Sequence, residues 1–156
     1  SESDGGGPMS TAEAGQKQVA SSPLSGREIA MAVGAVVIHM GAMVPGFRED
    51  GTFQTTDFVI ITAISAVVAA VVFAFPVRMA STGWAMGLAV SALVSVLAFW
   101  AGLTLPLAAG AVALALRARA RGDRPGLAQG ALAVAVLAII GLAAIIIGDA
   151  LANDLY

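Results

Sequence analysis

Charged side chains are missing from four stretches of the chain: 29–47 (19 residues), 58–77 (20), 79–116 (38) and 125–148 (24). A charge at the centre of a bilayer costs about 2.5–3.5 kcal/mol, so uncharged apolar runs of this length point to membrane-spanning helices. Helices rise about 1.5 Å per residue and the hydrocarbon layer is about 30 Å thick, so the runs of 19, 20 and 24 each suit one span. The 38-residue run would make a helix about 57 Å long. It must hold two spans and a turn, and the best turn is Gly102-Leu-Thr-Leu-Pro106. There Gly ends one helix, Thr104 serves as N-cap of the next and Pro106 falls in its first turn. The pattern therefore predicts an all-α integral membrane bundle of five transmembrane helices, at 29–47, 57–77, 83–102, 104–118 and 127–148. The fourth is short, about 22 Å, and is expected to rely on Arg117 and Arg119 snorkelling to the headgroups.

Composition agrees: 58% of residues are apolar and 12% charged, against about 45–50% and 25% in soluble domains. Mean hydropathy is +0.89. The net charge of −2 argues against a nucleic-acid binder. The absence of cysteine excludes disulfides, thiolate metal sites and iron–sulfur clusters.

Basic residues fix an expected orientation, because short basic loops stay cytoplasmic. With five spans and the N-terminus inside, seven Lys and Arg face the cytoplasm (Lys17, Arg27, Arg78, Arg117, Arg119, Arg121, Arg124) and only Arg48 faces out. The C-terminus is then outside. Trp84 and Trp100, 16 residues apart, are expected to mark the two interfaces of a single third span, about 24 Å apart. Residues 1–26, with Gly5-Gly6-Gly7-Pro8, read as a disordered cytoplasmic tail, and 27–156 as the transmembrane domain. Glu2 and Asp4 precede the first base, so the tail does not resemble a signal peptide and the first span is expected to be retained. The outer loop with Glu49, Asp50 and Asp57 lacks the ligand alternation of a calcium site and reads as a solvated turn.

Well inside a span the only titratable side chain is His39, near the middle of the first, with Met40 beside it and Met43 one turn on. His39 and Met43 form a soft nitrogen–thioether pair of the kind that suits Cu(I), but two ligands are few. The expected state is a buried neutral imidazole bonded to a carbonyl or hydroxyl of a neighbouring helix, with no cofactor. A polar-ligand or proton-relay role at His39 is the functional alternative. No lysine lies at depth for retinal, no second histidine for haem, and no carboxylate for a pump or an aspartyl protease. The chain is therefore expected not to be an enzyme. Gly83, Gly87, Ser91 and Ser95 recur every fourth residue, as do Thr62, Ala66, Ala70 and Ala74, and both stripes are expected to serve helix packing within the chain, with contact to a partner or second copy as the alternative. Arg117, Arg119, Arg121 and Arg124 form the one charge cluster, a topology determinant and a candidate contact for anionic lipid or a partner.

The segment Pro106-Leu-Ala-Ala-Gly-Ala-Val-Ala-Leu114, then Arg117-x-Arg-x-Arg-Gly122 and Gly126-Leu-Ala-Gln-Gly130, resembles a two-span hairpin of small membrane proteins from bacteria with high-GC genomes. The resemblance covers 103–142 and implies a membrane hairpin with a cytoplasmic turn and no catalytic residues. The expected function is a non-catalytic accessory or structural subunit in the bacterial cytoplasmic membrane, with lipid and a membrane-protein partner or a second copy as its contacts. The alternative is a small transporter or channel subunit with a polar seam of His39, Thr62, Ser65, Ser91 and Ser95.

Overall fold

Ser25 opens the first helix. Its hydroxyl accepts from the Glu28 N–H (3.3 Å) and the Glu28 carboxylate accepts from the Ser25 N–H (2.8 Å), a reciprocal pair that satisfies two of the donors a helix start leaves unpaired. The computed structural model describes residues 23–49 and 52–153. The expected disordered tail lies outside these residues up to 22, and at 23–26 the chain is already entering helix α1 (Gly26–Met43). A short 3-10 turn containing Pro45 (Val44–Phe47) leads into a small antiparallel hairpin, β1 (Arg48–Glu49) and β2 (Thr52–Phe53), with Arg48 opposite Phe53. Phe47, Phe53 and Phe58 close this end in a cluster with ring centroids 5.3–6.5 Å apart.

Helix α2 (Thr55–Val72) runs into a wider π turn at Phe73–Val77. Pro76 explains it, because a ring without an N–H cannot continue the regular ladder and pushes the preceding turn open. Helix α3 (Thr82–Ser95) ends in a 3-10 segment, Val96–Ala101, that breaks at Ala98 (φ −118°, ψ 47°). The expected straight helix over 83–102 is therefore two pieces, and the Trp84–Trp100 spacing does not run along one axis. Trp84 is exposed, and the Trp100 side chain lies outside the described set.

The turn falls where expected. Gly102 has φ +72°, and a Cβ there would sit 3.3 Å from both Ile61 Cγ2 and Ser65 Cβ, so both conformation and space call for glycine. Thr104 does not cap α4 (Thr104–Ala120): it is the first helical residue, fully buried, and its hydroxyl meets Ser95 instead. Helix α5 (Pro125–Asn153) completes the fold.

Helix α4 contacts all four of the others, and α3, α4 and α5 pack on one another. Their buried residues recur in steps of three and four: Thr82, Ala85, Ala89 and Ala92 on α3, then Val96 just past its end; Thr104, Ala108, Ala111, Ala115 and Ala118 on α4; Ala128, Ala131, Ala135, Ala138 and Leu142 on α5. Ser65, Ala69, Val72 and Pro76 do the same along α2 and its π turn. This is the 3.5-residue period of left-handed helix packing, and alanine at its positions lets backbones approach closely.

The expected four-step stripes do not pack within the bundle. Gly83, Gly87 and Ser91 are exposed, as are Ala66, Ala70 and Ala74. Four residues turn a helix by about 400°, so a strict four-step stripe drifts by about 40° per step and only its last member, Ser95, reaches the core.

Large apolar side chains point outward instead: Val37, Ile38, Val59, Val67, Val94, Leu97, Ile140 and Ile147 are all exposed. Small residues inside and large ones outside is the reverse of a water-soluble core. Three helical stretches, Gly26–Met43, Thr55–Val77 and Pro125–Ala152, are long and apolar enough to cross a membrane, and Thr82–Ala98 is a shorter apolar helix.

Candidate functional site

Two groups of polar side chains stand out against this apolar background. The first lies among α1, α2 and the α3–α4 turn. His39 sits on the inward face of α1 and is fully buried, as is Ser65 on α2. Among the described residues neither nitrogen of His39 nor the Ser65 hydroxyl has a hydrogen-bonding partner. The expected bond from His39 to a neighbouring carbonyl or hydroxyl is absent among the described residues; carbonyls within helices are already spent on their own ladders. Thr62 Oγ1 lies 2.6 Å from the Phe58 carbonyl and 2.8 Å from Met40 Sδ, which ties Met40 to α2. Ser95 donates to the Ala92 carbonyl (2.8 Å) and its oxygen is 3.0 Å from Thr104 Oγ1. Ser65 packs against the Gly102 turn between these two. Of the expected seam residues, Thr62 touches Met40, Ser95 meets Thr104, Ser65 lies against the Gly102 turn, His39 is buried on α1, and Ser91 faces outward.

An unpaired buried polar group costs about 1–3 kcal/mol. We expect His39→Leu to keep the fold and raise its stability by about 1 kcal/mol, read as a higher melting temperature in detergent. A clear loss of stability would show that the imidazole has a partner after all.

The second group closes the other end of the bundle. The Arg117 guanidinium grips both oxygens of Glu28, through Nε to Oε1 and Nη2 to Oε2 (2.6 Å). It also donates to the carbonyls of Val77 (3.1 Å) and Pro23 (3.1 Å). The side chains are 16% and 9% exposed, so Arg117 turns inward and does not snorkel as expected. Arg121 donates to the Ala80 carbonyl, and Thr82 donates to Asp123. One clasp thus joins the start of α1, the α2–α3 turn and the α4–α5 turn. Arginine suits this role because its planar fork serves a carboxylate and helix-end carbonyls together.

Arg119 and Arg124 are exposed and have no ion-pair or side-chain hydrogen-bond partner among the described residues; Arg27 and Arg78, at the same end, are likewise exposed. The four arginines of the cluster therefore divide into two that hold the fold and two that face outward. Sequence reasoning missed Glu28, Thr82 and Asp123. The Ser25-x-x-Glu28 spacing of a capping box was the available signal for the first. Among the described residues no three His, Asp or Glu side chains gather as a hard-metal site.

No protein-family model, curated protein or solved structure matches the chain. The functional reading rests on the residues themselves.

Proposed function

We propose that the chain is a non-catalytic integral membrane protein, an accessory or structural subunit of an assembly in the bacterial cytoplasmic membrane. It crosses five times, with its N-terminus in the cytoplasm and its C-terminus outside. The observation that carries this reading is the inverted distribution of side-chain size, alanine heptads within and large aliphatics without. The position of α4 supports a fifth crossing: encased by the other four helices, it needs no lipid-length hydrophobic surface of its own. The arginine clasp marks the cytoplasmic end, and the outward-facing Arg119 and Arg124 supply contacts for anionic headgroups or a partner.

The chain lacks cysteine, so single cysteines report topology cleanly. Ser81→Cys, at the arginine end, should resist a membrane-impermeant maleimide until cells are lysed, whereas Thr56→Cys should react on intact cells. The opposite pattern would invert the topology. Gentle detergent extraction should recover a stoichiometric partner or a homo-oligomer; a monodisperse monomer alone would defeat the subunit reading.

One observation favours a second reading, a small transporter or channel subunit: the unpartnered His39 and Ser65 at depth. Flux through reconstituted protein that falls on His39→Leu would support it, and flux indifferent to that change would remove His39 from the path.

A further inference from the structure

We propose that His39, Met40 and Met43 form a binding site for a soft monovalent cation, Cu(I), in the outer half of α1. The inference goes beyond the subunit reading and does not depend on it. It starts from the imidazole, which is fully buried and has two unpartnered nitrogens among the described residues. A neutral imidazole offers a lone pair at one of them, and such a buried group needs something to bind.

The neighbouring donors are thioethers. Positions 39 and 43 are one turn apart on one face, and positions 40 and 43 are likewise neighbours, so Met43 stands over both. Helical side chains lean toward the N-terminus, which aims the Met43 thioether back at the turn carrying His39 and Met40. Met40 is 5% exposed and its sulfur is held by contact with Thr62 at 2.8 Å, so this donor is already fixed in place. Met43 is the last residue of α1, where the negative end of the helix dipole favours a cation. Asp57, exposed in the first turn of α2 beyond the hairpin, gives a cation an acidic approach at this same end.

Charge and softness select the ion. The donor set is neutral, one nitrogen and two sulfurs, and the buried carboxylate of Glu28 is paired with Arg117 at the other end of α1, so it does not balance a second charge here. A divalent ion would bring an uncompensated charge into a low-dielectric site, whereas a monovalent one brings half of it. Thioethers prefer Cu(I) over the harder Zn(II) or Mg(II).

The test uses the full chain in lipid nanodiscs with ascorbate, titrated with Cu(I) in competition with bicinchoninate. We expect one tightly held Cu(I) per chain. His39→Leu and Met43→Leu should each weaken it by about tenfold or more, while Met86→Leu, which alters a methionine packed near Gly130, leaves it unchanged. Ag(I), the redox-inert analogue, should shift the methyl carbon resonances of Met40 and Met43 but not that of Met86, and excess Zn(II) should not displace Cu(I). The melting temperature of each variant shows whether it is folded. Absence of stoichiometric binding, binding that survives both His39→Leu and Met43→Leu in folded protein, or displacement by Zn(II) would overturn the site.

Discussion

Glu28→Ala should lower the stability of the folded bundle by about 3 kcal/mol, near the lower end of what removing one partner of a buried ion pair costs. The reason is the state left behind. Glu28 is 6% exposed and accepts from two nitrogens of Arg117 as well as from the Ser25 N–H and hydroxyl. Without it, the largely buried Arg117 guanidinium loses the carboxylate that balances its charge, and the neutral Val77 and Pro23 carbonyls it also meets cannot replace that charge. Arg117→Ala should cost a similar amount, because it strands the carboxylate and uncaps Val77 together. The double replacement, Glu28→Ala with Arg117→Ala, should cost clearly less than the two single losses combined, since it leaves no lone charge. Denaturation in mixed micelles, followed by circular dichroism, measures all three. Single losses below about 1 kcal/mol would mean that water or headgroups reach the pair freely, as at an ordinary surface salt bridge.

That pair also shows where the sequence was legible and where it was not. Five helices, the turn at Gly102 and the arginine-bearing end follow from charge spacing and from local residue chemistry, which act over a few residues and can be read in order. Glu28 and Arg117 are 89 positions apart, and no local rule joins them; only the packing of α1 against α4 does. The interior of the second helix departs from regular α geometry for a local reason. Pro76 lies inside an apolar run, and its missing donor opens the π turn at Phe73–Val77.

The faces that pack within the bundle follow a different period from the four-step stripes. Small residues four apart are easy to see in a chain rich in Ala and Gly, yet the faces that meet alternate steps of three and four, as in Ala128, Ala131, Ala135 and Ala138. Only that alternation keeps a stripe on one side of a helix over several turns. At His39 the sequence pointed to burial on an apolar helix, and the side chain is fully buried. Whether the imidazole is bonded depends on what the facing helices present, and a chain in which most side chains at depth are aliphatic offers few partners.

Gly110→Leu should abolish folding, and even Gly110→Ala should cost about 1–3 kcal/mol, the usual range for an overpacked interior. A Cβ at Gly110 would lie 2.2 Å from Val72 Cγ1 and 3.2 Å from Leu88 Cδ1. The leucine contact is with the far end of a side chain and can yield. Val72 cannot do so easily, because it is 5% exposed and its branched Cβ leaves it essentially one rotamer on a helix. The helices would have to part, and α4 packs against each of the other four α-helices. Gly87→Ala provides the contrast: nothing lies within 4 Å of a Cβ there, so the substitution should be neutral or stabilising by up to about 1 kcal/mol through helix propensity alone. Thermal unfolding of the two alanine variants in one detergent compares them directly. A loss at Gly87 matching that at Gly110 would place a second surface against the exposed side of α3, as packing by a partner or another copy demands, whereas opposite signs in detergent would confine close helix packing to the three-and-four face of the monomer.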